Sequence, residues 1–171
     1  MSFPKPEVQI LDYNRVIKDL NGYSVADLVS RLGDSFAVEK SADPVKPDAV
    51  RTFGMYVQGQ WYRLIDTGVS PEPANPTADL DVSVLTTRVL SPILGIEDPR
   101  TDCRIDCVGG IRGMRELEKR VNSGDWAVAF SLYPTSVDQL IAVADANEIM
   151  PPKTTWFEPK LADGIVSLML D

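Results

Sequence analysis

Glycines and arginines stand close together in one short stretch of this sequence, Val108-Gly109-Gly110-Ile111-Arg112-Gly113. Glycines between a strand and a helix let backbone amides approach an anion at the helix N-terminus. Arg112 and Arg115 are three residues apart on the first helical turn, so both can face one ligand. The spacing matches neither the dinucleotide fingerprint nor the P-loop. The stretch predicts either a phosphate site that includes Gly109, Gly110 and Arg112 or a tight structural turn.

A second stretch, residues 150–160, reads Met-Pro-Pro-Lys-Thr-Thr-Trp-Phe-Glu-Pro-Lys. Prolines stiffen it, and its two aromatic residues can anchor it. Lys153, Thr154 and Lys160 can then present cations and a hydroxyl to an anionic group. In the alternative interpretation the segment is a structural lid whose aromatic side chains pack into the core while its charges stay in water. Both interpretations stay open at this point.

Histidine is absent from the sequence, which excludes Ser-His and Cys-His nucleophile pairs and histidine metal sites. The two cysteines, Cys103 and Cys107, fall on one face if residues 103–108 form a strand. Two soft ligands leave a tetrahedral zinc site incomplete. We therefore expect a buried pair of reduced thiols and no metal site, and no carboxylate pair is singled out as an acid/base couple.

Charge and hydropathy exclude two classes of partner. The formal net charge is -8, and the 17 Lys and Arg are interleaved with 25 Asp and Glu, so the basic stripe of a nucleic-acid binder is missing. No stretch approaches the length of apolar sequence that crosses a membrane, and the first residues lack a signal-peptide pattern. We expect a cytoplasmic protein without nucleic-acid or membrane partners.

Hydrophobic periodicity predicts an α+β fold, with helices packed on a mixed sheet. Strands are expected at 7–12 (continuing toward 17), 36–39, 53–57, 61–65, 103–108, 126–132 and 165–170. Helices are expected after Ser24, after Asp79 or Asp81, over 112–122, and after Thr135 or Ser136. The last helix is expected to turn Val137, Leu140, Ile141 and Ala144 inward. Loops are expected at 43–48 and 68–75.

The C-terminal half has the order strand, helix, strand, which predicts a parallel βαβ unit. Its two strands would end on the same side, at Gly109-Gly110 and at Tyr133-Pro134-Thr135. Open sheets bind ligands at such ends, and this favours a site there. A single domain over 1–171 is expected, with an alternative division into 1–95 and 96–171.

Several of these blocks together resemble the C-terminal part of the prokaryotic family called domain of unknown function 1015. The resemblance rests on residues 11–22 (LDYNRVIKDLNG), 105–113, 130–135 and 150–160. The family implies longer proteins whose N-terminal part carries an Asp-Gly-His-His-Arg motif, similar to a nucleotide-handling motif of the ParB and sulfiredoxin superfamily. That motif is missing here, so the chain is expected to begin just after it, as a separated piece or a gene remnant.

The resemblance implies an accessory or substrate-side domain of a nucleotide- or phosphate-handling protein. In this superfamily, free serine kinases transfer phosphate from a nucleotide to L-serine, so a serine-kinase-like reaction is the sharpest expectation for the longer protein. The chain itself would hold no cofactor and no catalytic residue that can be assigned, and would bind a small anionic ligand and the missing N-terminal domain. The alternative is a structural or protein-interaction module. DNA partitioning, by analogy with ParB, is disfavoured by the negative charge.

Overall fold

The computed structural model describes residues 9–68 and 75–158. Its strands are β1 (Gln9–Leu11), β2 (Tyr13–Ile17), β3 (Phe36–Ser41), β4 (Thr52–Val57), β5 (Gln60–Asp66), β6 (Ile105–Gly109), β7 (Val128–Ser131) and β8 (Trp156–Glu158). Its helices are α1 (Val25–Leu32), α2 (Asp81–Leu85), α3 (Met114–Asn122) and α4 (Val137–Asp145). A π-helical stretch, Thr86–Leu90, continues α2, and a 3₁₀ turn, Gly110–Arg112, precedes α3. The predicted α+β fold is confirmed.

Six of the strands form one sheet in the order β3-β5-β4-β7-β2-β6, and β1 pairs with β8 in a separate sheet. Strand β2 lies between β6 and β7 and is antiparallel to both. Strands β6 and β7 therefore run in the same direction but do not pair, so the predicted parallel βαβ unit is not confirmed. Every described pairing in the six-stranded sheet is antiparallel, so the sheet is not mixed. A strand from the N-terminal half took the place between them, which local sequence patterns cannot reveal because the pairing is long-range.

Alternation along the strands divides the core into two layers. Ile17, Met55 and Phe130 face the layer that contains α1, α2 and the π-helical stretch. Val16 and Ala129 face the other layer, beneath α3. Because β2 is covered on both sides, its polar residues must be satisfied inside the protein.

Local sequence rules account for several element ends. Ser24 and Ser136 each begin a helix with a complete capping box, formed with Asp27 and Gln139 respectively. Gly59, at φ 79°, closes the β4–β5 hairpin in the conformation that glycine tolerates best. These predictions are confirmed.

Other expectations were wrong. Helix α2 begins after Leu80 without a side-chain cap, so neither Asp79 nor Asp81 caps it. In α4 the buried residue is Val143, and Ile141 and Ala144 are exposed. Cys103 precedes β6 and is exposed while Cys107 is half-buried, so the two thiols are not a buried pair.

Two predicted elements lie wholly or largely outside the described residues: the strand at 165–170 and the loop at 68–75. No helix in 9–68 or 75–158 is long and apolar enough to cross a membrane.

Candidate functional site

The start of β2 and the ends of β6 and β7 lie side by side at one edge of the six-stranded sheet. Tyr13 pairs with Gly109, the last residue of β6. On the other side, the side chain of Asn14 accepts a hydrogen bond from the backbone N–H of Leu132 at 3.0 Å, just beyond β7. The ends of β6 and β7 thus lie together, as expected, with β2 between them.

Arg15 is the unusual residue at this edge, since it is only 3% exposed and lies on the same face of β2 as the core residue Ile17. Its Nη1 group donates to the carbonyls of Tyr13 at 2.8 Å and Asn14 at 3.3 Å, and Nη2 donates to the carbonyl of Lys153 at 2.9 Å. These are its hydrogen bonds within the described part of the chain, and none goes to a carboxylate. A guanidinium has five N–H groups, so at least two are left for another acceptor.

Burial lowers the pKa of the Arg15 guanidinium from its usual value, against the opposing effects of Cys107, Tyr13 and Asp106. Arginine nevertheless keeps its proton in proteins. A buried cation without a carboxylate at hydrogen-bond distance is costly, and an anion beside it would relieve that cost.

A cavity of about 450 Å³ opens beside this guanidinium, and we call it the Arg15 cavity. It lies between α2 with its π-helical continuation, the turn at 98–100 and the segment at 149–152. It is lined by Arg15, Val82, Ser83, Thr86, Thr87, Asp98, Pro99, Arg100, Ile149, Met150, Pro151 and Pro152. The volume is within the range of small-molecule sites, and π-helical turns are frequent at such sites.

Asp98 and Arg100, at the outer wall, neutralise each other. Arg100 Nε donates to both carboxylate oxygens of Asp98, at 2.9 and 3.2 Å, and its Nη2 donates at 2.9 Å. The hydrogen bonds from Arg100 lower the pKa of Asp98 to about 2. Arg15 therefore differs from Arg100 in that its charge is not already paired.

The proline-containing segment reaches the same edge, a placement that the sequence did not predict. Lys153 has φ 55°, accepts the hydrogen bond from Arg15 on its carbonyl, and holds its ammonium 5.8 Å from the centre of the Tyr13 ring. Thr154 is buried, and its hydroxyl donates to the carbonyl of Pro151. Lys153 and Thr154 also border a void of about 10 Å³ against Arg15. Lys160 lies outside the described residues.

The glycine turn occupies the neighbouring position. An added Cβ on Gly110 would clash with the carboxylate of Asp12, and one on Gly109 would lie 2.6 Å from Trp156 Cε3. The backbone N–H of Gly110 donates to the carbonyl of Asp12 at 2.8 Å, and Arg112 is exposed, 3.7 Å from Glu116. The structure brings Gly109 and Gly110 to the site's edge but leaves Arg112 pointing to solvent. An anion-binding role for this turn stays a prediction.

Asp81 is a second buried ionisable group near the cavity. Its Oδ1 accepts from the backbone N–H of Arg51 at 2.9 Å, while its buried Oδ2 has no hydrogen-bond partner in the described residues. Burial raises the pKa of Asp81 to about 6. Asp81 therefore gains a proton at a higher pH than an ordinary carboxylate does.

The sequence argument missed Arg15. Its position in Tyr13-Asn14-Arg15-Val16-Ile17 contained the needed information, because period-two alternation puts Arg15 on the same face as buried Ile17. A charged residue at a core position of a strand is rarely buried without a reason.

Comparison with known proteins gives partial matches. The family described as "Protein of unknown function (DUF1015)" matches residues 1–83, just under half of the 171 residues. No curated protein matches the sequence. A solved conserved hypothetical protein from Pyrococcus furiosus is similar with TM-score 0.50 and 12% identity, over 88% of this chain and 56% of that one.

Structures of free serine kinase are also similar. The complex with AMP gives TM-score 0.49 and 11% identity, over 88% of this chain and 54% of that one. This chain spans about half the length of these solved proteins. The Pyrococcus furiosus likeness shows a shared fold and says nothing of activity.

Proposed function

We propose that this chain is the binding domain for a small anionic molecule in a longer phosphate-handling protein, and that the anionic group binds to Arg15. The observation that carries the proposal is the buried guanidinium on the wall of the 450 Å³ cavity, with spare N–H groups and no carboxylate partner in the described residues.

The chemistry of the guanidinium fits this role. Its planar fork can donate two parallel hydrogen bonds to a phosphate or a carboxylate, and its carbonyl partners hold it in place before the ligand arrives. A preorganised cation in a partly desolvated wall binds an anion more strongly than the same group in water. The carbonyl of Lys153 would then hold the guanidinium, and the Thr154 hydroxyl, which donates to the carbonyl of Pro151, would fix the segment that lines the cavity.

The sharpest form of the proposal concerns the longer protein. Following the sequence resemblance, it would transfer phosphate from a nucleotide to a small hydroxyl-bearing acceptor such as L-serine. This chain would supply the substrate-side half of that reaction. No residue here is assigned to the chemical step.

A thermal-shift screen tests the binding proposal. The panel is ATP, ADP, AMP, L-serine, O-phosphoserine, inorganic phosphate and sulfate, since a ligand at one hundred times its Kd stabilises by about 2.7 kcal/mol. We expect stabilisation by at least one anion of this panel that is lost in Arg15→Lys, which keeps the charge but not the fork. Arg63→Lys, a strand arginine paired with Asp48 away from the cavity, is the matched control.

The variant Arg112→Ala locates the site. Loss of the shift in Arg112→Ala with retention in Arg15→Lys would move the anion to the glycine turn and overturn the proposal. If no anion raises the melting temperature, the proposal is also overturned.

One observation favours a second candidate, a structural module without ligand. The three described hydrogen bonds of Arg15 tie the carbonyl of Lys153 to two carbonyls of β2, as a purely structural clamp would. Under that candidate Arg15→Lys destabilises the fold but no anion in the panel raises the melting temperature of the wild type.

A further inference from the structure

The walls of the Arg15 cavity are largely apolar. Half of its lining residues are hydrocarbon or proline side chains: Val82, Pro99, Ile149, Met150, Pro151 and Pro152. A site for a bare inorganic ion would need only polar contacts around that ion. Apolar walls beside one cation suit a molecule with an anionic end and an apolar body.

The cavity offers one unpaired positive charge among the described residues that line it. Arg100 is held by Asp98, so the pair adds no net charge. Thr86 and Thr87 donate their hydroxyl hydrogens to the backbone carbonyls of Val82 and Ser83, at 2.8 and 3.0 Å. Their hydroxyls therefore add no donors for a second anionic group.

Ile149 supplies independent support. It is 86% exposed, more than any other large apolar residue in the described part of the chain, and it lines the cavity. A ligand body that covered Ile149 would remove this apolar surface from water, which is favourable in proportion to the area covered.

We infer that the ligand of the Arg15 cavity carries a single anionic group, a phosphate monoester or a carboxylate, on an apolar body that packs against Ile149 and the prolines. This inference rests on the proposed function and names the class of molecule that the site selects. Inorganic phosphate lacks the apolar body and a triphosphate carries several anionic groups, so both should bind more weakly than an alkyl phosphate.

A homologous series of ligands tests the apolar body. Methyl to butyl phosphates and acetate to pentanoate would be titrated by calorimetry or by protein NMR, with inorganic phosphate as the reference. Each buried CH₂ should lower Kd by about three- to fourfold. Comparison of the two series tells a phosphate ester from a carboxylate.

Ile149→Ser tests the wall without disturbing the core, because the residue is exposed. It should weaken butyl phosphate or pentanoate several-fold and leave inorganic phosphate unchanged. Ile111→Ser is the matched control, since Ile111 is 58% exposed and does not line the cavity. Equal effects of the two substitutions on the longest ligands would contradict the inference.

The outcomes separate the two proposals. If anions bind in an Arg15-dependent manner but Kd does not change with chain length, the inference about the apolar body is wrong and the proposed function stands. If neutral butanol binds as well as butyl phosphate, or no anion binds, the proposed function itself fails.

Discussion

The Arg15 cavity and the glycine turn both lie near the first residues of β2, but the charged group that is buried differs: a cation at the cavity and a carboxylate at the turn. At the turn, a buried carboxylate, Asp12, fills the space beside Gly110, and the nearby cation Arg112 is exposed and close to Glu116. At the cavity, the cation is buried and its hydrogen bonds go to carbonyls. A glycine-rich turn with an arginine is thus less informative than a buried arginine whose charge is unpaired. The two arginines therefore differ in whether a carboxylate lies beside the cation.

The largest expected effect comes from removing the buried cation. Arg15→Met leaves three carbonyls without their charged donor, and we expect a loss of about 4 kcal/mol in the free energy of unfolding, measured by chemical denaturation. Arg63→Met removes a partly exposed ion pair with Asp48 and should cost less than about 1 kcal/mol. Similar losses in both variants would show that burial of Arg15 has no special energetic role.

Asp12 and Asp81, the buried carboxylates of the two regions, offer a second contrast. Asp12 accepts a hydrogen bond from the Asn14 side chain at 2.6 Å, whereas one oxygen of Asp81 has no partner in the described residues. Burial raises the pKa of Asp81 to about 6, above its unfolded value. Protonation therefore favours the folded state, and this contribution is complete below about pH 4 and lost as pH rises through 6.

Asp81→Asn should remove this pH dependence. Between pH 4 and pH 7 the wild type should lose about 2 to 3 kcal/mol relative to Asp81→Asn, measured by urea denaturation at each pH. Asp48→Asn, at an exposed carboxylate, controls for the change in net charge. A difference between wild type and Asp81→Asn that does not vary with pH would contradict the assignment.

A smaller effect is expected at the glycine turn. Gly110→Ala puts a methyl group against the Asp12 carboxylate and should cost about 1 to 2 kcal/mol. In the background of Asp12→Ala, where the carboxylate is gone, the same substitution should cost clearly less, and a double-mutant cycle measures the difference. Additive losses would mean that Asp12 does not fill the turn.

Local rules predicted much of this fold and little of its site. Ser24 with Asp27, Ser136 with Gln139 and the Gly59 hairpin were readable because each depends on residues a few positions apart. The insertion of β2 between β6 and β7 could not be predicted from local patterns, since it depends on pairing across about a hundred residues of sequence.

At the candidate site, too, locally determined features were predicted and long-range ones were missed. Lys153 and Thr154 were singled out because their segment is locally distinctive, and their part in anion binding stays a prediction. Arg15 was missed, since its importance depends on burial by α2 and on the carbonyl of Lys153 far along the chain. The exposed face of α4 was also misjudged, because amphipathic spacing alone did not fix which side of that short helix packs.

The central claim is that Arg15 binds an anion, and a side-chain NMR titration tests it most directly. The Nε–H resonance of Arg15, assigned by its loss in Arg15→Lys, would be followed as butyl phosphate is added. The account predicts a saturable shift of this resonance, with the Arg112 Nε–H resonance unchanged. A saturable shift at Arg112 with none at Arg15 would contradict it.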